Sequence, residues 1–173
     1  MGNAQVPGNA REAELARMMA AHGARLAGLC TALLKDAHLA QDVVQETFLR
    51  AYTRMDSFRG GHENSERAWL TRIAINTCRD MLRRGWFRWT DRRVTPEALP
   101  LAAPDEPHPL LAEAVMALPR PSREVVLLYY YQGMDVKETA QALGINVNTA
   151  KSRLLRARKL LKIHLEGGGT LDE

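Results

Sequence analysis

Basic and polar side chains near one end of the chain have the spacing of a DNA-reading surface. The segment that starts at Asp135 predicts a short helix, which begins at a capping box formed by Asp135 and Glu138 and ends at Gly144. Asn146 then suits the N-cap of a second helix. That second helix has one apolar face, and its other face has cations that no acidic residue between positions 147 and 165 offsets. This pattern is typical of a helix-turn-helix that reads the major groove.

The two faces of this second helix separate at helical spacing. We expect one stripe to face the core, and it consists of Ala150, Leu154, Ala157, Leu161 and Leu165. We expect the opposite face to contact phosphates and base edges, and it contains Lys151, Ser152, Leu155, Arg156 and Lys159. A solvated amphipathic helix is the alternative, but the capped helix and the glycine turn before it favour DNA binding.

A second basic face is predicted in the first half of the chain, on a helix from about Glu66 to Arg84 that Gly85 closes. The residues expected on its buried side are Leu70, Ala74, Thr77, Cys78 and Met81. Those expected to project outward are Trp69, Arg72, Asn76, Arg79, Asp80 and Arg83. Arginines suit a DNA backbone, the Asn76 amide suits a base edge, and Phe58 and Trp69 offer stacking surfaces for an unpaired base. This chemistry fits single-stranded or opened DNA, although a buried Trp69 beside solvated arginines explains the residues equally well.

A third surface is predicted on the helix that contains positions 42–52. Its inward residues are expected to be Ala40, Val43, Val44, Thr47 and Ala51. A separate stripe combines aromatic and polar groups, with acidic residues beside it: Gln41, Asp42, Gln45, Glu46, Phe48 and Tyr52. Aromatic anchors in a polar surround suit a protein partner. The alternative is that Phe48 and Tyr52 only complete a broad core stripe.

The elements that would position these surfaces are helices. The chain has 173 residues, 46% of them hydrophobic, and a net charge of +4 with clustered cations, which favours anionic partners. Five prolines between positions 96 and 109 predict an extended link. We therefore expect an all-α protein with two small helical domains. The predicted parts are a flexible N-terminus at 1–10, a first domain at 11–89, a linker at 90–109, a helix-turn-helix domain at 110–166 and a flexible tail at 167–173.

Other function classes fit the residues poorly. The two cysteines, Cys30 and Cys78, lie far apart in apolar helical patterns, which favours core thiols and a reducing compartment over a disulfide framework. The five histidines have no metal-ligand spacing, and no nucleophile motif or phosphate-binding glycine loop is present. No apolar run is long enough for a membrane span. We expect a cytoplasmic protein that is not an enzyme, with no catalytic residues, metal site, cofactor or membrane insertion.

Taken together, the three surfaces resemble those of a bacterial RNA polymerase sigma factor of the extracytoplasmic-function (ECF) type. The segment DVVQETF at 42–48 is similar to the family's polymerase-binding helix. FRG at 58–60 followed by WLTRIAINT at 69–77 is similar to its promoter-melting and −10-reading segment, and TAKSRLLRAR at 149–158 is similar to its −35 recognition helix. The resemblance covers nearly the whole chain and identifies the two domains as sigma regions 2 and 4.

The resemblance implies a role for each surface. The helix from Gln41 to Tyr52 would bind the β′ clamp helices of core RNA polymerase. Asn76 would read a base flipped from the opened −10 element of promoter DNA, and Phe58, Arg59 and the loop to Ser65 would form the pocket wall. The outer face of the helix-turn-helix would contact the −35 element. An anti-sigma factor is a further implied partner, because family members are commonly held inactive by one.

A helix-turn-helix transcription regulator that does not bind polymerase is the alternative function. It explains the second domain, but it leaves the basic face around Asn76 and the stripe around Phe48 without a purpose.

Overall fold

The computed structural model describes residues 8–60, 63–84 and 109–167, all of them in helices, turns or short connections. The helices in chain order are α1 (Gly8–Leu34), α2 (Ala37–Thr53), a 3-10 turn (Met55–Ser57), α3 (Glu63–Arg83), α4 (Pro109–Ala117), α5 (Arg120–Val126), a π-helical turn (Leu127–Tyr131), α6 (Val136–Leu143) and α7 (Val147–Gly167). The all-α prediction is confirmed. The predicted linker falls outside the described residues apart from Pro109, and so do most of the predicted N-terminus and tail.

The first domain is a bundle of α1, α2 and α3. The chain turns sharply between α1 and α2, where Lys35 has a φ of 55° and the Asp36 carboxylate accepts hydrogen bonds from the first backbone amides of α2. Leu26, Val43 and Leu70 contribute one buried side chain from each helix to the core. Packing around this core fixes which face of α2 and α3 remains outside.

Polar contacts at two positions, Glu66 and Asp80, link these helices to one another. The buried Glu66 carboxylate at the start of α3 accepts a hydrogen bond from Arg17 and lies 2.7 Å from His22 Nε2, and both of those residues belong to α1. Near the other end of α3, Asp80 accepts hydrogen bonds from Arg50 of α2 and from Arg83. These two bonds lower the pKa of the Asp80 carboxyl below its ordinary value.

The two cysteines lie together in this core and are both buried, as the sequence predicts for core thiols. The pKa of the Cys30 thiol is raised well above its usual value. The main cause is a hydrogen bond between the Cys30 and Cys78 thiols, and the second is burial. A thiol with a raised pKa is a poor nucleophile, so Cys30 acts as a small apolar group, and Cys78 is buried beside it between α1 and α3.

The second domain consists of α4 to α7, with α7 packed against α4, α5 and α6. The prolines at 119 and 121 predict a helix that resumes at Ser122, but α5 already begins at Arg120. Pro121 fits its first turn because the amides of that turn have no helical acceptor. A π-helical turn then follows, with Gln132 N donating to Leu127 O at 2.9 Å, and it buries Leu127 and Leu128.

The two domains contact each other through α3 with α6 and α1 with α5. Arg79 Nη1 of α3 donates a hydrogen bond to Leu143 O at 2.8 Å, and Arg25 Nη1 of α1 donates one to Tyr131 O at 3.3 Å. Within the described ranges, no helix is long and apolar enough to cross a membrane.

Candidate nucleic-acid and protein-binding surfaces

The helix-turn-helix of α6 and α7 forms through the caps that the sequence predicts. Asp135 Oδ1 accepts from Glu138 N at 2.8 Å, and Glu138 Oε2 accepts from Asp135 N at 2.9 Å, so the capping box is complete. Gly144 ends α6 with a φ of 65°, in the left-handed region that favours glycine. Asn146 Oδ1 then accepts from Thr149 N at 2.7 Å and starts α7. These caps fix the angle at which α7 leaves the domain.

The outer face of α7 is open to solvent over its first three turns. Its exposed residues are Lys151, Ser152, Leu155, Arg156 and Lys159. On the opposite side Ala150, Leu154 and Ala157 are buried and Leu161 is half-buried. The expectation for Leu165 is wrong, because α7 extends past the other helices of its domain and leaves this side chain 44% exposed. The result is a cationic surface with one apolar residue, Leu155, near its centre.

The predicted outward residues of α3 differ in how exposed they are. The helix begins at Glu63, three residues before the predicted start, and Arg72, Asn76 and Arg83 are exposed. Arg79 is partly covered by the second domain. An exposed amide between arginines is therefore present on α3, as the sequence predicts.

Phe58 and Trp69 form a packed aromatic pair at the start of α3. Their ring centroids are 4.9 Å apart and their planes are tilted by 31°. Both rings are half-buried against the core, so Trp69 does not project freely as predicted. A Cβ at Gly60 would overlap Ser65 Oγ and the Phe58 ring, so a larger residue there would have to displace both side chains. Arg59, beside this pair, is exposed.

The predicted protein-binding stripe on α2 is partly wrong. Gln41, Asp42 and Gln45 are exposed, and Glu46 and Tyr52 are half-buried. The Phe48 ring is only 3% exposed and belongs to the core. It packs towards α1, where Phe48 Cε2 lies 4.0 Å from the position that a Cβ of Gly23 would take. Phe48 is therefore a core residue and offers no anchor to a partner.

Comparison with known proteins links these surfaces to one family. Residues 18–88 match the family described as Sigma-70 region 2, and residues 109–161 match Sigma-70, region 4. The ECF RNA polymerase sigma factor SigL of Mycobacterium tuberculosis is 37% identical over 154 residues, which are 84% of this chain and 85% of SigL. The ECF RNA polymerase sigma factor SigM of Bacillus subtilis is 33% identical over 82% of this chain and 88% of SigM. The chain belongs to the ECF sigma factors.

Sigma factors give RNA polymerase its promoter specificity, and this chain is such a subunit. The chain spans only 36% of the length of another relative, the probable RNA polymerase sigma factor RfaY of Xanthomonas campestris, at 31% identity. Among solved structures, that of CnrH in complex with the cytosolic domain of CnrY has a TM-score of 0.65 at 30% identity and 90% coverage of both chains. The sigma factor RpoE of Bartonella quintana, in complex with the anti-sigma factor NepR, has a TM-score of 0.68 at 25% identity, with 90% of this chain and 96% of that one covered.

The structure of this sigma factor also shows a surface that sequence reasoning missed. Leu49 of α2 is 62% exposed and lies beside Asp42, Gln45 and Glu46, at the i, i+3, i+4 and i+7 positions of one helical face. These residues line one wall of a groove, and the other wall is formed by the end of α3. The helical spacing of Asp42, Glu46 and Leu49 in the sequence could have indicated this face.

A second feature of the sigma factor that sequence reasoning missed lies between the domains. A cavity there is lined by Asn76, Arg79, Leu82, Arg83 and Arg120. Glu124 of α5 accepts from Arg120 Nε at 2.9 Å and lies 3.9 Å from Arg79 Nη2.

Within residues 8–60, 63–84 and 109–167 no group of three His, Cys, Asp or Glu side chains could hold a metal ion.

Proposed function

We propose that this sigma factor reads the −35 element with the outer face of α7, reads the opened −10 element with α3, and binds core RNA polymerase with the groove face of α2. The observation that supports this most strongly is the exposed cationic face of α7 on the same chain as an exposed amide among the arginines of α3. A duplex-binding regulator requires the first surface but not the second.

The −35 role rests on the exposure and chemistry of α7. Lys151, Arg156 and Lys159 present cations that phosphates attract, and Arg156 has donors that also match a guanine edge. Ser152 Oγ donates to Thr149 O at 3.0 Å and keeps its lone pairs for a base or a water. Leu155 is 55% exposed and offers an apolar contact for a thymine methyl group.

The −10 role rests on the face of α3 and on the aromatic pair beside it. The Asn76 amide has both a donor and an acceptor for the edge of an unpaired base, and Arg72 and Arg83 are exposed for the strand backbone. The Phe58 and Trp69 rings, with Arg59 next to them, form the wall against which that base would lie. Unstacking one base costs about a few kcal/mol, and tethering both domains to polymerase raises their effective concentration at the promoter.

Polymerase binding is assigned to the exposed side of α2. Asp42, Gln45 and Glu46 line the groove, and Leu49 supplies the apolar contact that the sequence had assigned to Phe48. A central apolar residue inside a polar and acidic rim is the arrangement of many protein interfaces. The partner that we propose for this side is the pair of β′ clamp helices, with Gln41 and Tyr52 at its edge.

An anti-sigma factor is proposed as the regulatory partner. The solved structure of RpoE is a complex of a sigma factor with the anti-sigma factor NepR, and that of CnrH is a complex with the cytosolic domain of CnrY. Both matches cover 90% of this chain, so they include both of its domains. We place the protein in the cytoplasm, where promoters and polymerase are found, and we propose that it has no catalytic activity of its own.

Run-off transcription with core polymerase on a promoter library tests the proposal. The wild-type chain should direct transcription from a defined set of −35 and −10 sequences. Asn76→Ala should keep polymerase binding and change the preference at one −10 position, whereas the matched control Asn9→Ala, on the exposed start of α1, should change nothing. A chain that binds duplex DNA but is not retained by core polymerase in a pull-down would instead be a regulator.

A further inference from the structure

The cavity between α3 and the start of α5 has the size and charge of a site for a small anion. Its volume is about 520 Å³, which lies in the range of small-molecule sites. The residues that line it come from both domains: Asn76, Arg79, Leu82, Arg83 and Arg120. All three charged residues in this wall are arginines, whose planar donors match phosphate and carboxylate groups.

The positive charge of this wall is only partly neutralised. Glu124 Oε1 accepts from Arg120 Nε at 2.9 Å, whereas Glu124 Oε2 lies 3.9 Å from Arg79 Nη2, which is too far for a hydrogen bond. Asp80 accepts from Arg83 at 2.5 Å, but an arginine of α2 binds its other oxygen. The two carboxylates are thus shared among four arginines, and the lining guanidinium groups keep donors for a further anion.

Another guanidinium, that of Arg123 in α5, adds to the positive field behind the wall. Arg123 is buried, and its Nη1 donates to Met116 O at 3.1 Å and to Leu118 O at 3.2 Å, both of which are neutral acceptors. Burial, and then the charge of Arg120, lower the pKa of the Arg123 guanidinium below its ordinary value. The start of α5 is therefore short of negative charge, and an anion bound beside Arg120 would reduce this repulsion.

The two uncharged residues of the wall suit an organic group. Asn76 is exposed on α3, and its amide offers a donor and an acceptor, the pair that matches the N6 and N7 edge of adenine. Leu82 is half-buried and gives the same cavity an apolar surface. An inorganic anion would use only the arginines, whereas a nucleotide would use the arginines, the amide and the leucine together.

We propose that this cavity binds an adenine nucleotide, with the phosphates on the three lining arginines and the base beside Asn76. The ligand bridges the two domains, because Arg120 belongs to region 4 and the other lining residues belong to region 2. It also occupies the amide and the cation of Arg83 that we assign to the −10 strand. Nucleotide binding is independent of that assignment, and only the exclusion of the −10 strand rests on the proposed function.

Isothermal titration calorimetry on the full-length protein tests the site with four probes: ADP, GDP, pyrophosphate and adenosine. ADP should bind saturably. Pyrophosphate lacks the base and adenosine lacks the phosphates, so each should bind roughly tenfold or more weakly than ADP. GDP should bind roughly five- to a hundredfold more weakly, because its base edge does not match an amide. No saturable binding of ADP, or equal affinity for ADP and pyrophosphate, would overturn the proposal.

Two variants locate the bound nucleotide. Arg120→Gln should raise the Kd for ADP roughly tenfold, because it removes a charged contact from a side chain that is 45% exposed. The matched control Arg54→Gln, an exposed arginine outside the cavity, should leave the Kd unchanged. Arg120→Gln also takes a partner from the buried Glu124, so Arg83→Gln, at a side chain that is 76% exposed, repeats the test with less risk to the fold. The same Kd in all three variants would show that ADP binds elsewhere.

Competition with DNA measures the consequence for the −10 strand. The free protein should bind a single-stranded −10 oligonucleotide from the promoter library about tenfold more weakly when ADP is at ten times its Kd. Arg120→Gln should need a correspondingly higher ADP concentration for the same effect. Saturation with ADP at unchanged oligonucleotide affinity would refute the exclusion of the strand. A wild-type protein that binds ADP but not the oligonucleotide would instead refute the proposed −10 role and leave the nucleotide site standing.

Discussion

Replacing Leu49 by alanine should weaken binding to core polymerase without weakening the fold. Leu49 is 62% exposed on α2, whereas its neighbour Phe48 is 3% exposed and packs on α1. We therefore expect opposite roles for these two adjacent apolar residues, Leu49 in the proposed polymerase interface and Phe48 in the core. Substituting each in turn separates polymerase binding from folding.

The expected magnitude follows from the area that Leu49 can still bury. Full burial of a leucine side chain contributes about 1.5 to 3 kcal/mol, and about three-fifths of that remains available in the free protein. Truncation to alanine should therefore cost about 1 to 2 kcal/mol of binding, or roughly a five- to thirtyfold rise in Kd. Its effect on the free energy of unfolding should be within about 0.5 kcal/mol, as for other surface positions.

Two measurements check both halves of this prediction. A fluorescence competition assay against core polymerase gives the Kd, and urea unfolding gives the stability. Met19→Ala is the matched control, because Met19 is an apolar residue of α1 that is 48% exposed and lies outside the groove. Phe48→Ala should lower the free energy of unfolding by about 3 to 5 kcal/mol, because it leaves a cavity in the core.

Either of two results would contradict this prediction. A folded Leu49→Ala variant that binds core polymerase with the wild-type Kd would remove the groove face of α2 from the interface. A Phe48→Ala variant that keeps the wild-type stability and loses affinity would restore the stripe inferred from the sequence alone.

Three further predictions concern other parts of the chain. Arg156→Ala should weaken binding to a cognate −35 duplex by about 1 to 3 kcal/mol, and an equal loss on a scrambled duplex would exclude a base contact. Gly23→Ala should raise the free energy of unfolding in urea by about 0.5 to 1 kcal/mol, because an added Cβ has its nearest neighbour 4.0 Å away; a lower value would indicate a clash. Asp80→Asn should lower the stability by up to about 1 kcal/mol at neutral pH. Two arginines hold the pKa of Asp80 below its ordinary 3.8. The stability that Asp80 contributes is therefore fully present above pH 3.8 and is lost as the pH falls through the pKa of the folded state. A stability difference between Asp80→Asn and the wild type that persists at about pH 2 would contradict this role of the Asp80 carboxylate.

The helix-turn-helix was predictable because local chemistry determines it. The capping box at Asp135 and Glu138, the glycine at 144 and the cap at Asn146 each form hydrogen bonds to residues three or four positions away, and all form as expected. The exposed face of α7 follows from the same information, since only one of its faces is apolar. Leu165 was misplaced because periodicity does not show where the neighbouring helices end.

The face of α2 was harder to predict because two helices cover it. α1 and α3 both pack on α2, so the buried arc is wider than one apolar stripe and includes Phe48. An isolated helical pattern does not reveal from which side a second neighbour approaches. The contact of Arg79 with Leu143 could not be predicted for a related reason. Nothing in the sequence around a surface arginine indicates that it will donate to a backbone carbonyl 64 residues away.

That separation along the chain has a consequence for protein synthesis. Arg79 leaves the ribosome well before its acceptor Leu143, which follows 64 residues later. At about 5 to 20 residues per second, translation of this interval takes about 3 to 13 s. Each newly made molecule therefore presents an uncovered α3 face for several seconds before region 4 exists, and its first encounter with polymerase or DNA can take place while it is still being translated.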